Sequence, residues 1–121
     1  MSLLAPAVLS PLLVFIGGGL GALLRYLAAL AVGGPLATLT VNLAGSFAIG
    51  LLAAMIPGGE TQLRLFFMTG ILGGFTTFSA FSLDAIALYQ RGQPAAALAY
   101  VAATVLLGLA AAAAGLALGR G

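Results

Sequence analysis

Gly70-Ile71-Leu72-Gly73-Gly74-Phe75-Thr76-Thr77-Phe78-Ser79-Ala80-Phe81-Ser82 is the one stretch where glycines, hydroxyls and aromatics crowd together inside an apolar run long enough to cross a bilayer. In hydrocarbon every unsatisfied backbone N–H or C=O is costly. A Gly-Gly pair followed by two β-branched threonines is an odd choice there unless the backbone opens. The stretch reads as a helix broken at mid-membrane, over about residues 73–77. Such breaks are tolerated where the backbone is buried in protein or lines a wet cavity, and in transporters they often mark the ion site.

The composition around it is that of an integral membrane protein. Of the 121 residues, 63% are hydrophobic and 5% are charged, against roughly 25% charged in soluble domains. This length makes a single membrane domain, 1–121. The net charge of +2 comes from Arg25, Arg64, Arg91 and Arg120 against Glu60 and Asp84. With no basic patch, no nucleic-acid partner is expected. The absence of Cys and His removes thiol chemistry, disulfides and the common zinc and haem ligand sets. Enzymatic chemistry is poorly provisioned, so the chain is not expected to be an enzyme. Met1 to Val32 begins apolar without a Lys/Arg-rich leader and reads as a retained first span, not a cleaved signal.

Punctuation falls at Gly33-Gly34-Pro35, Pro57-Gly58-Gly59-Glu60 and Arg91-Gly92-Gln93-Pro94. It cuts the chain into four apolar runs, about 10–32, 35–56, 63–90 and 95–118, each meeting the need for about 20 residues per span. The expected fold is all-α: four transmembrane helices in an antiparallel up-down bundle. Sorted by side, Arg64 and Arg120 fall with the N-terminus, and Arg25 and Arg91 fall opposite. Orientation follows Lys/Arg imbalance, so a two-against-two count predicts insertion both ways and allows an antiparallel dual-topology homodimer.

Candidate residues follow span by span. Gly17 and Gly21 in the first span are four apart, the spacing that lets helix backbones approach. Arg25 lies within that span, where a charge needs a partner or an aqueous outlet. Two readings stand: an ion pair with Asp84, or a positive potential over an anion vestibule. In the second span Thr38, Asn42 and Ser46 share one face as a polar stripe. In the third, Phe78 and Phe81 lie three apart with Ser79 and Ser82 beside them. Ring edges carry positive charge, so such a pair can solvate an anion without a competing hydrogen-bond donor. In the fourth, Tyr100 and Thr104 are one turn apart and Gly108 continues the face without a side chain.

Three segments together resemble one family: Gly19-Leu20-Gly21-Ala22-Leu23-Leu24-Arg25-Tyr26, Thr40-Val41-Asn42-Leu43-Ala44-Gly45-Ser46-Phe47, and Gly70 through Asp84 with its Gly-Gly-Phe-Thr-Thr-Phe-Ser core. They are similar to the CrcB/Fluc fluoride channels of bacteria, in order and at family spacing; the fourth span matches weakly. The resemblance implies four-helix chains assembled as antiparallel dual-topology homodimers in the bacterial plasma (inner) membrane. Two pores would run along the subunit interface, passing fluoride and rejecting chloride, with a buried sodium ion at its centre. Phe78 and Phe81 would be the rings whose edges contact fluoride, and Asn42 the nearby donor amide. Ser79 and Ser82 would add hydroxyls, and Thr38, Tyr100 and Thr104 would form a polar track. The carbonyls of Gly73 and Thr76 from both subunits would hold Na+, and Arg25 would serve the vestibule. Relatives frequently carry serines where this chain has Thr104 and Gly108, which leaves the outer track short of a side-chain donor.

Two other classes compete with a passive fluoride exporter. A small proton-coupled multidrug exporter of four-helix dual-topology type needs a titratable intramembrane carboxylate. Here Glu60 is in a loop and Asp84 near a helix end. A non-transporting assembly subunit would use its glycine faces for packing alone and leaves the third-span break unexplained.

Overall fold

The computed structural model describes residues 5–121; the first four residues of the expected Met1–Val32 span lie outside them. Proline at the first turn and glycine at the ends set the helix limits. α1 runs Pro6–Val32 and α2 runs Gly34–Met55, joined at Gly33, whose φ of 79° suits glycine. The third span is segmented: α3 (Thr61–Arg64), a π-helical segment π1 (Leu65–Leu72), and α4 (Gly73–Phe75). Thr76 and Thr77 are extended, with φ/ψ of −86°/156° and −152°/117°, and α5 then covers Phe78–Gln90. α6 (Pro94–Arg120) completes the chain. Four stretches, Pro6–Val32, Gly34–Met55, Thr61–Gln90 and Pro94–Arg120, are long and apolar enough to cross a membrane.

The observed limits correct the sequence-based ones in detail. α1 begins four residues before the expected residue 10, because Pro6 has no N–H to lose at a helix start. Extended backbone is confined to Thr76 and Thr77, since Gly73–Phe75 still complete a helical turn. Helix resumes at Phe78, where the Thr77 hydroxyl caps it by accepting from Ala80 N at 3.1 Å.

Glycine contacts define two parallel helix pairs. A Cβ on Gly21 of α1 would strike Ile71 O, and one on Gly17 would lie 2.6 Å from Phe66 O. Numbers rise together along both partners, so α1 and the third span run the same way. On the second pair, a Cβ on Gly108 would lie 3.8 Å from Ser46 Oγ, one on Gly50 would strike Ala112 O, and one on Gly119 would lie 2.6 Å from Ala54 Cβ. α2 and α6 therefore also run together, and the short connections make each successive span antiparallel to the last. Backbone-to-backbone approach explains the Gly17/Gly21 spacing as packing.

The interior is thin. Ala37, Val41, Leu72, Phe81, Ala97 and Tyr100 are the buried apolar residues among those described, and the accessible surface is 7286 Å². A soluble monomer of this length would expose roughly 6,000 Å². The excess is largely aliphatic and aromatic, as suits a chain whose surroundings are themselves apolar.

Candidate functional site

The functional geometry is built where α2 meets the interruption between α4 and α5. Leaving the helix at Thr76 strips Thr77 N of its helical acceptor and leaves Thr77 O, the N-cap carbonyl of α5, open to a second donor. Asn42 of α2 supplies both. Its Nδ2 donates to Thr77 O at 3.0 Å, and Thr77 N donates to its Oδ1 at 2.8 Å. The carboxamide thus pairs with both backbone groups of one residue, as a neighbouring strand would. One Nδ2 proton is left for a further acceptor. On the α1 side, Arg25 Nε donates to Gly74 O at 3.1 Å. Thr76 N and its hydroxyl both turn back to Leu72 O, each at 3.0 Å. Among the described residues no donor reaches the carbonyls of Gly73 or Thr76.

Beyond the interruption, α5 carries the aromatic pair. Phe78 and Phe81 have ring centroids 5.6 Å apart and planes tilted by 58°. Phe81 is 7% exposed and continues to Tyr100 of α6 at 5.4 Å, whereas Phe78 is 79% exposed. Phe75, on the near side of the interruption, faces Gly45 of α2. An open groove of about 330 Å³ runs past this point, lined by Asn42, Ser46, Thr77, Phe78, Phe81 and Thr104 among others. A smaller cavity of about 100 Å³ is bounded by Arg25, Thr38 and Thr77.

The polar residues expected from sequence divide into two groups. Asn42, Thr104, Phe78 and Phe81 meet around the groove, with Gly73 and Thr76 in the same wall. Thr38 and Tyr100 meet elsewhere, on Asp84: the Thr38 hydroxyl donates to Oδ2 at 2.7 Å and the Tyr100 hydroxyl at 3.2 Å. Asp84 is thus occupied by two hydroxyls, and Arg25 by a backbone carbonyl. The expected alternative of an Arg25–Asp84 ion pair is not formed. Thr104 returns its hydroxyl to Tyr100 O at 2.7 Å, and Ser82 returns its own to Phe78 O at 2.9 Å. Ser79 Oγ lies 3.3 Å from Thr77 Oγ1 and is exposed.

Sequence reasoning missed Thr77 as the residue through which α2 holds the interruption, and Asp84 as the meeting point of two hydroxyls. A threonine three residues before Ala80 is an N-cap signal for the first. Nothing local signals the second, whose partners lie 46 and 16 residues away. No group of three or more acidic, histidine or cysteine side chains is gathered for a metal among the described residues. Any ion held here would rely on backbone oxygen, hydroxyls, amide and ring edges.

The family described as CrcB-like protein, Camphor Resistance (CrcB), matches residues 12–116. The chain belongs to this family. The CrcB-like match contains every site residue named above. Among similar proteins, one from Paracoccus denitrificans is 52% identical across 89% of this chain and 92% of its own length. Another, from Rhizobium meliloti, is 52% identical across 90% and 94%. A third, from Rhodospirillum centenum, is 51% identical across 90% and 94%. Each of the three is named a fluoride-specific ion channel, FluC.

Proposed function

We propose that this chain is a fluoride-selective channel that lets fluoride leave the cytoplasm passively and so lowers its toxicity. The observation that carries the reading is the groove that gathers the Phe78–Phe81 pair, the Asn42 amide and Thr104 beside an interrupted helix. Identity of about half to fluoride-specific channels over nine-tenths of the chain supports it. HF enters as a neutral weak acid and dissociates in a more alkaline cytoplasm, trapping the anion. An inside-negative potential then drives fluoride out with about 2.3 kcal/mol per charge per 100 mV. Selectivity rests on desolvation: fluoride loses its water only where strong donors replace it in a passage too narrow for chloride. The remaining Asn42 proton and the ring edges of Phe78 and Phe81 are such donors. Asp84, held by two hydroxyls, disfavours the multidrug-exporter reading, which needs a carboxylate free to exchange a proton.

The assembly belongs to the same proposal. Phe78 is 79% exposed although it lines the groove, which suits an antiparallel dual-topology homodimer whose second copy closes each pore. The bilayer proposed is the bacterial inner membrane, with the third span broken near its midplane. Sodium fits the oxygen set at the interruption: the Gly73 and Thr76 carbonyls carry no hydrogen bond, and carbonyl dipoles are good ligands for a hard cation. When bound between two subunits, the ion supplies a fixed positive charge and ties the two interruptions together. Arg25 lines the 100 Å³ cavity, the region proposed for the anion vestibule.

The test is efflux from proteoliposomes holding equal fluoride and chloride, read with ion-selective electrodes after adding a potassium ionophore. Rapid fluoride loss with chloride retained is expected. Retention of both ions by vesicles that contain folded dimer would sink the channel reading and bring the assembly-subunit reading forward.

A further inference from the structure

α2 and α6 run side by side in a constant register. Thr38 and Tyr100 converge on one Asp84 oxygen, Asn42 and Thr104 line one groove, and Ser46 Oγ lies 3.8 Å from where a Cβ on Gly108 would stand. Each pairing (38 with 100, 42 with 104, 46 with 108) has the same offset of 62 residues, and each rung lies about 6 Å beyond the last at 1.5 Å per residue. The first two rungs carry polar side chains on both helices. The third has one on α2 only. At the next rung Gly50 packs directly on Ala112 O, so the two backbones close together and the polar ladder ends.

Ser46 differs from the other hydroxyls near this ladder. Thr38, Thr76, Ser82, Tyr100 and Thr104 each donate to a protein oxygen. Among the described residues Ser46 Oγ makes no hydrogen bond to protein, yet it is not enclosed and lines the open groove. A serine on a helix normally returns its proton to the carbonyl four residues back. Here an accessible hydroxyl keeps its donor free in an otherwise apolar stretch.

We propose that Ser46 is an anion-contacting residue of the outer pore, supplying from α2 the donor that Gly108 does not supply from α6. This assignment rests on the fluoride-channel reading and extends it by one residue. The Ser46 hydroxyl hands the dehydrated anion on from Asn42, one helical turn away. A single hydroxyl suffices because Gly108 leaves the space before it open to the anion or to water.

The experiment is a rescue series in proteoliposomes, with flux normalised to folded dimer. Ser46→Ala is expected to slow initial fluoride efflux about tenfold, the scale of one hydrogen bond to a charged group. Adding Gly108→Ser to that variant is expected to restore efflux to within about threefold of the parent, since a side chain at 108 meets only ordinary contact. If Ser46→Ala does not reconstitute, Ser46→Cys, similar in size and a weak donor, reads the same comparison with the same rescue. A Ser46→Ala channel as fast as its parent, or a double variant no faster than the single, overturns the assignment. A parent that passes no fluoride overturns the channel reading itself, a result separable from either.

Discussion

Replacing Asn42 by leucine keeps side-chain volume but removes both hydrogen bonds to Thr77. Two magnitudes compete. Leaving the part-buried Thr77 N without an acceptor costs about 1–3 kcal/mol, while Thr77 O, at the N-cap of α5, keeps its helical donor. Interhelical hydrogen bonds in membranes average only about 0.6 kcal/mol, or about 1.2 for two, because the groups find other partners when one is lost. Such partners exist here. If the interruption heals into continuous helix, Thr77 N takes the Gly73 carbonyl and the orphan disappears. The smaller figure therefore governs stability, and the cost is transferred to the open geometry. A bias of about 1.2 kcal/mol lowers the ratio of open to healed backbone about sevenfold. Asn42→Leu should thus fold with a thermal midpoint near the parent's while fluoride efflux per folded protein falls about tenfold, the scale of losing the remaining Nδ2 donor to a charged group on top of the shifted ratio. Healing also consumes the Gly73 carbonyl, proposed above as a sodium ligand, so any thermal protection that added sodium gives the parent should weaken in the variant. Efflux within about twofold of the parent would refute the reasoning, as would a stability loss above about 3 kcal/mol with flux unchanged.

The two rings of the pair should separate in their effects. Phe81→Ala, emptying a buried site against Tyr100, should lower stability by about 3–5 kcal/mol in denaturant titration. Phe78→Ala, at an exposed position, should change protomer stability by about 0.5 kcal/mol or less while sharply reducing fluoride efflux. Gly50→Ala and Gly115→Ala each drive a methyl into the partner's backbone and should cost about 1–3 kcal/mol by thermal melting. Arg64 Nη2 donates to Ala53 O and Ile56 O, each at 2.9 Å, closing the end of α2. Arg64→Met should lower the melting temperature. It should also leave one arginine facing two across the membrane, so that a C-terminal reporter reads predominantly outside.

Much of the architecture was legible because glycine and proline do their work locally. Pro6, Pro35 and Pro94 open helices and Gly33 joins two, so the spans follow from spacing and composition. The extended backbone lies within the expected stretch for the same reason. Its narrowing to Thr76 and Thr77 was not legible, because the turn at Gly73–Phe75 is held by packing of Gly74 against Gly18 O on a distant helix. The π-helical segment Leu65–Leu72 was not legible either: nothing in Leu-Phe-Phe-Met-Thr-Gly-Ile-Leu departs from an ordinary apolar helix. Its signal is again tertiary, in the approach of Gly70 to the Gly17 backbone. The polar partners divide the same way. Asn42 stood out as an amide in an aliphatic span, but its attachment to Thr77 spans 35 residues, and that of Arg25 to Gly74 spans 49.

These tertiary dependences make the site a property of two helix pairs and their junction. The interruption belongs to the pair of α1 with the third span, whose glycine contacts bring Arg25 to Gly74 O. The residues that hold and extend it belong to the pair of α2 with α6, whose register aligns Asn42 with Thr104 and Ser46 with Gly108. Asn42 joins the pairs through the N–H and C=O of a single residue, Thr77. A shift within the second pair therefore moves the clamp and the polar ladder together. A methyl at Gly50 sits two turns from Asn42, about 12 Å along the same helix, and displaces α2 against α6. Its consequence is a change in conduction through the Thr77 peptide, although neither Gly50 nor Ala112 lines the groove. The glycines that look like mere packing thus set the spacing on which the proposed anion contact depends.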